Sequence, residues 1–281
     1  MERSVGIWYN SAKEEVPVVA GRLIQTLEAE GVRPVMGRRL AKLMDRPITG
    51  PANFAGCEFL CVLGGDGTIL AALDVALRDK VPLLGVNLGR VGYLSEVQPE
   101  RVELDVRRAL NGEGRLDWRM LLEAETSDGQ RGFALNDLSF NRSDSSVGIL
   151  TLEVRAGGAV VDRLAGDGLV IATATGSTAY SLSAGGPVIA PGLDCMVLTP
   201  ICSHTLNARP VVVAAGESVS VRVMDDRSKA RVLLDGFKVI TLPADNPSVT
   251  VRRASQSVAF LRLTERNFFD LMREKLSEWT H

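Results

Sequence analysis

Apolar runs of strand length alternate with helix-period stretches along residues 1–114. Ser4–Tyr9 reads as a strand. Val18, Val19, Leu23, Ile24 and Leu27 then recur at helical spacing until Gly31 ends the helix, and Pro17 suits its first turn. A short strand near Arg33–Met36 and a basic helix around Arg38–Leu43 follow, and Pro47, Gly50, Pro51 and Gly56 mark a loop. The apolar run Glu58–Leu63 breaks into Gly64-Gly65-Asp66-Gly67-Thr68, then a helix from Ile69 to about Leu77. Val81–Leu88 is another strand. Pro99 opens a helix with Leu104, Val106 and Leu110 on one side and Gly112 as its stop. This alternation predicts a mostly parallel sheet covered on both faces, an α/β Rossmann-like first domain over 1–114.

The pattern then changes. Residues 115–263 hold many short strand-like runs: Met120–Ala124, Ile149–Arg155, Val160–Leu164, Leu169–Ala172, Met196–Thr199, Val211–Ala214, Val219–Val223, Val232–Leu234 and Val249–Val251. Turn residues such as Gly157-Gly158 and Asp225-Asp226 separate them, which predicts an all-β second domain of sandwich type. Thr175–Gly186 interrupts it, rich in Ser, Thr and Gly and helical in its middle. Thr264–Trp279 reads as a last helix capped by Thr264. Its stripe of Phe268, Leu271, Met272, Leu276 and Trp279 is expected to pack back on the first domain.

Composition narrows the function. Lys plus Arg is 32 and Asp plus Glu is 34, so no bulk field favours nucleic acid or an anionic membrane. No stretch reaches the ~18 uncharged apolar residues of a membrane span, and MERSVGIWYNSAKEE lacks the apolar core of a secretory signal. A cytoplasmic protein is expected, with Cys57, Cys61, Cys195 and Cys202 as ordinary buried thiols and no zinc-type spacing among them. Histidine occurs only at His204 and His281. His204 has no nucleophile elbow near it and reads as a hydrogen-bonded structural residue, so a carboxylate is the better candidate for a base.

Four segments can carry chemistry. Gly64, Gly65, Gly67 and Thr68 lie between a strand and a helix, where backbone N–H groups can cradle a phosphate. Asp66 stands among those donors. A phosphate would repel it, so it makes sense if it handles a proton or hydroxyl, or if a divalent metal shields it; otherwise it caps the helix. The second segment, Thr173–Pro187, offers hydroxyls around a helix start at Ser177–Thr178 for capping or for ribose and adenine edges. Asn136-Asp137, following the strand-like Phe133-Ala134-Leu135, offers donors and acceptors for a diol, or forms a turn or bulge pair. Tyr93, in Gly85–Leu94, can stack on a base or belong to the core.

In this order the segments resemble the NAD kinase family, over most of the chain from Gly64 to Asp235-Gly236. The pairing of Gly-Gly-Asp-Gly-Thr with Thr-Gly-Ser-Thr-Ala-Tyr-Ser-Leu-Ser-Ala-Gly-Gly-Pro is specific. The glycine turn alone is shared with 6-phosphofructokinases and diacylglycerol-type lipid kinases. The resemblance implies a Rossmann-like domain, a β-sandwich domain and a site in the cleft between them. It also implies transfer of the terminal phosphoryl of ATP, or of polyphosphate, to the 2′-hydroxyl of the adenosine ribose of NAD. By that resemblance Asp66 is the catalytic carboxylate and Gly67 lies against the dinucleotide. Tyr93 lies near the adenine, and Asn136 and Asp137 bind NAD. Thr178, Ala179, Tyr180 and Ser183 line the nucleoside pocket, with Ser181 and Leu182 beside them, and Asp167 reaches the nicotinamide end, often across a subunit interface. A divalent metal, Mg²⁺, and a homodimer or homotetramer are implied.

The chain departs from the family pattern at Asp137, where Glu is usual, at Ala174 for Pro, at Ala165 for Arg, and at Phe237, where a polar residue is common. Two other functions fit parts of the sequence. A lipid or sugar kinase would use the same glycine turn and leave the Thr/Ser segment unexplained. A nucleotide sensor would bind without turnover and gain little from Asp66.

Overall fold

The computed structural model describes residues 2–47, 53–89, 92–143, 149–205, 207–224, 230–264 and 267–278. Two compact units emerge: Met1–Trp118 with Val258–His281, and Arg119–Ser257.

The first unit runs β1 (Ser4–Tyr9), α1 (Val16–Ala29), β2 (Arg33–Met36), α2 (Arg38–Leu43), β3 (Leu60–Gly64), α3 (Asp66–Asp79), β4 (Leu83–Asn87) and α4 (Val102–Leu110). The strands pair in parallel in the order β2-β1-β3-β4. β3 and β4 are buried throughout, as strands covered on both faces must be. The order reverses between β1 and β3, and ligands of open α/β sheets bind beyond the strand ends at such a point. The glycine turn leaves β3 there.

Several elements start or face differently from expectation. α3 begins at Asp66, three residues before Ile69, because Gly65 takes the extended N-cap conformation and the helix follows at once. A 3-10 turn at Pro99–Arg101 precedes α4. In α4, Leu104 is 54% exposed, while Val102, Asp105, Val106, Ala109 and Leu110 are buried. Asp105 tolerates burial because Arg101 and Arg108 donate to its carboxylate at 3.2–3.3 Å.

The second unit contains β6 (Arg131–Ala134), β7 (Asp137–Arg142), β8 (Leu150–Ala156), β9 (Ala159–Gly166), β10 (Gly168–Thr173), α5 (Tyr180–Ser183), β11 (Cys195–Ile201), β12 (Val211–Ala214), β13 (Val219–Val223), β14 (Ala230–Leu234) and β15 (Lys238–Ile240). The strands β5 (Arg115–Thr126) and β16 (Ser248–Arg262) carry residues of both units. One sheet has the order β12-β11-β10-β7-β14-β15, and the other carries β16-β13-β8-β9 with β5 and β6. Phe140, Ile171, Leu198 and Val232 of the first meet Leu152, Val221 and Val251 of the second in one core, a sandwich arrangement.

β16 extends far beyond Val249–Val251 because its polar positions find partners: Arg252 donates to Glu123 at 3.1 Å and to Glu125 at 2.9 Å. The pair Asn136-Asp137 is not a turn, since Asp137 opens β7. Thr175–Gly186 is helical in two short pieces. A 3-10 turn at Thr175–Thr178 and α5 join at Ala179, whose non-helical backbone (φ −102°, ψ −126°) interrupts them.

The last helix, α6 (Phe268–Glu278), belongs to the first unit. Asn267 rather than Thr264 caps it, its side chain accepting the Phe269 N–H at 2.9 Å. Phe268, Leu271 and Met272 are half-buried; the Leu276 side chain, Trp279 and His281 lie outside the described residues, as does Asp225-Asp226. Three cysteines are buried, but Cys202 is exposed with a left-handed φ of 43°. His204 is exposed, and its backbone N–H bonds to Ala165 O at 2.8 Å. No helix among the described residues is long and apolar enough to cross a membrane.

The exposure pattern of α4 gives a test within one helix. Leu110→Ala is expected to cost about 2–5 kcal/mol, and Leu104→Ala to stay within about 0.5 kcal/mol, by denaturant unfolding of the full chain. Equal costs would contradict the assigned faces.

Candidate active site

In the first unit the chemistry gathers at the end of β3. The N–H groups of Asp66 and Gly67, in the first turn of α3, have no acceptor among the described residues. Nothing lies within 4 Å of where a Cβ would stand on Gly65 or Gly67, so a ligand can approach this backbone. Thr68 is already engaged: it is buried against Gly64, and its N–H donates to Gly65 O at 2.9 Å.

Asp66 does not cap its own helix. Its carboxylate reaches the loop after β4. Oδ2 accepts the Tyr93 N–H at 2.7 Å, and Oδ1 accepts the Leu94 and Ser95 N–H groups at 3.1 and 3.2 Å and the Ser95 hydroxyl at 3.4 Å. Gly92 makes the approach possible, since a Cβ there would stand 2.0 Å from Asp66 Oδ1. The half-buried Tyr93 ring lies 6.3 Å from that of Phe268. Burial first, then the Asp66 charge, push its hydroxyl pKa up. The structure thus brings Gly65, Asp66, Gly67 and Tyr93 together.

The second unit assembles the other candidates. Asn136 lies between β6 and β7 and Asp137 opens β7, with Asn136 against the start of the Thr175–Ser183 segment. A Cβ on Gly176 would stand 2.0 Å from Asn136 O, so only glycine lets the two segments touch. Thr173 ties them: its hydroxyl donates to Leu135 O at 2.6 Å and accepts the Gly176 N–H at 3.0 Å. Thr178, Ala179 and Leu182 are half-buried, while Tyr180 and Ser183 are exposed. The Tyr180 hydroxyl donates to Asn141 Oδ1 at 3.2 Å. Its pKa is raised by burial and then by the charges of Asp137, Cys202 and Asp167, which puts those groups in one neighbourhood. Asp167 pairs with Arg142 at 3.7 Å. Ser181 is fully buried and bonded to the Thr199 hydroxyl at 2.9 Å, so its side chain serves the fold.

Asp137 is 4% exposed, and no described residue donates to its carboxylate. Burial, and then the charge of Asp235, push its pKa up to about 7. Asp235 is buried beside it and accepts the N–H groups of Leu135, Asn136 and Asp137 at 2.9, 2.7 and 3.2 Å. The sequence pattern offers Thr173 only as one hydroxyl of the Thr173–Pro187 segment and gives Asp235 no site role. The only local sign was Asp-Gly after a strand, which here takes left-handed φ values of 49° and 78°.

Residues 5–114 match the family profile described as the ATP-NAD kinase N-terminal domain, and residues 135–263 match its C-terminal domain. The chain belongs to the ATP-NAD kinase family. It is 37% identical to the NAD kinase of Heliobacterium modesticaldum over 98% of this chain and 99% of that one. It is 36% identical to the NAD kinase of Moorella thermoacetica over 98% of this chain and 89% of that one. An NAD kinase from Archaeoglobus fulgidus, solved in complex with ATP, matches with a TM-score of 0.76 and 26% identity, over 96% of this chain and 98% of that one. The yeast NADH kinase complexed with NADH has the same fold, with a TM-score of 0.85 at 22% identity, over 98% and 87% of the two chains. The α/β and all-β halves read from the sequence are those of ATP-NAD kinases.

The raised Asp137 pKa has a sign that can be measured. Its stabilising contribution is present in full below the ordinary value of 3.8 and is lost as pH rises through about 7. Asp137→Asn, neutral at every pH, should gain on the parent by on the order of a few kcal/mol between pH 4 and 8. Parallel stability–pH curves for the two proteins would contradict the assignment.

Proposed function

We propose that the protein transfers the terminal phosphoryl group of ATP to the 2′-hydroxyl of the adenosine ribose of NAD, giving NADP. The observation that carries this reading is a carboxylate, Asp66, held inside an open glycine turn whose helix-start N–H groups are unclaimed. A pure phosphate cradle has no use for an anion at that place. A hydroxyl that must lose a proton does.

In this reading the ribose hydroxyl gives its proton to Asp66 as its oxygen bonds to phosphorus and the bond to ADP breaks. Oδ2 is the atom for it, because it accepts one backbone N–H where Oδ1 accepts three donors. The amides of Asp66 and Gly67 face the phosphoryl oxygens, and alignment supplies most of the remaining rate. Tyr93 lies against the adenine. Asn136 and Asp137 hold the ribose diol. Thr178, Ala179, Tyr180, Leu182 and Ser183 line the nucleoside. Asp167 serves the nicotinamide end, with a homo-oligomer bringing it to a neighbouring subunit's ligand. The free thiols fit a reducing cytoplasm.

Among the described residues no three His, Cys, Asp or Glu side chains converge on a common point. That donor set fits Mg²⁺ carried by the phosphates of the donor, an ion that commonly keeps waters and phosphate oxygens as ligands. When bound, the ion would neutralise phosphoryl charge. ATP is the donor supported by the family and by the Archaeoglobus relative; polyphosphate offers the same terminal phosphoryl. A lipid or sugar acceptor is disfavoured by family matches to both halves of the chain.

Asp66→Asn should remain folded by circular dichroism and lose roughly 10²–10⁴-fold in kcat for NADP formation. Near-normal turnover by a folded Asp66→Asn protein would refute the role, and calorimetric NAD binding with no NADP formed by the parent would favour the sensor. Chelation of divalent ions should abolish turnover while leaving the Tm of the ligand-free protein in place. A lowered Tm would mean a resident metal.

A further inference from the structure

Asp235 is a buried carboxylate whose oxygens collect three consecutive backbone N–H groups, those of Leu135, Asn136 and Asp137, at 2.7–3.2 Å. Its own N–H donates to Asp137 O at 2.9 Å, closing the grip from the other direction. Across the same tripeptide, Thr173 takes the carbonyl side. Its hydroxyl donates to Leu135 O at 2.6 Å and its N–H to Asn136 O at 2.8 Å. The segment is therefore held on both its donor and its acceptor groups, and few backbone positions are so fully determined. What it presents is the side-chain pair Asn136 and Asp137.

The grip also sets the charge. Two carboxylates lie buried side by side, and both cannot ionise cheaply. Burial raises both pKa values, but three N–H bonds and Lys238 pull that of Asp235 back, while no described residue donates to the Asp137 carboxylate. The three N–H donors therefore favour the charge on Asp235 and the proton on Asp137. A protonated Asp137 offers an O–H donor and a carbonyl acceptor, the complement of two adjacent hydroxyls.

We infer that Asp235 is a positioning residue of the dinucleotide site: it touches no substrate and aims Asn136 and Asp137 by holding their backbone. The inference rests on the reading that Asn136 and Asp137 bind NAD. Asp235→Asn keeps the shape and tolerates the left-handed backbone, yet sets an amide N–H against the main-chain donors. It should raise KM for NAD about tenfold, the effect of roughly 1.4 kcal/mol, and leave KM for ATP and kcat within about threefold.

Thr173→Val provides a second approach if Asp235→Asn does not fold. It should move KM for NAD in the same direction, with Thr173→Ser restoring it. Asp137→Ala, measured in parallel, separates the two levels. If Asp137→Ala raises KM for NAD while neither Asp235→Asn nor Thr173→Val does, the positioning role is wrong and the NAD reading stands. If Asp137→Ala leaves KM for NAD unchanged, the reading beneath fails and takes the inference with it. A fall in kcat with both KM values constant would mark Asp235 as merely structural and overturn the proposal.

Discussion

The contact on which the candidate residues of the first unit depend is that of Asp66 with the N–H groups of Tyr93, Leu94 and Ser95. An unmade hydrogen bond to a buried donor costs about 1–3 kcal/mol. One carboxylate here serves three such donors, so the loop after β4 and the start of α3 are fixed relative to each other by a single side chain. The same side chain is the proton acceptor of the proposed reaction. Its orientation therefore needs no further support at the moment of chemistry, and preorganised groups of this kind supply much of an enzyme's electrostatic effect.

The second unit repeats the device with the roles divided. Asp235 collects the Leu135, Asn136 and Asp137 N–H groups, and its buried neighbour Asp137 is the carboxylate proposed to meet the ligand. In both units the chain places a carboxylate where consecutive amides converge, which holds a loop without the length of a regular element. Glycine is required at the points of closest approach, Gly92 beside Asp66 and Gly176 beside Asn136. A methyl group at either would push the loop off its anchor.

Much of this architecture was legible from hydrophobic period alone. β1, β2, α2, β12 and β13 have the boundaries that the apolar runs predict. Legibility ended where polar groups replace apolar ones inside the fold. β7 hides because Asp137 and Ser139 are buried polar residues in a strand. The length of β16 hides because its Arg252 is neutralised by β5, a partner more than a hundred residues away. In α4 the charged Asp105 takes a buried place that period alone would give to Leu104. The motif residues were readable as types, but not their work. Asp66 bonds to a distant loop rather than to its own helix, and Ser181 bonds to Thr199. Asp235 carries no local pattern that reveals what it holds.

The most direct measurement is a structure of the protein with NAD and a non-transferable ATP analogue bound. The account places the adenosine 2′-oxygen within about 2.6–3.2 Å of Asp66 Oδ2, the reach of a proton-accepting group. A dinucleotide seated with that oxygen turned away from Asp66 in every subunit, and another group next to it, would contradict the account at its centre.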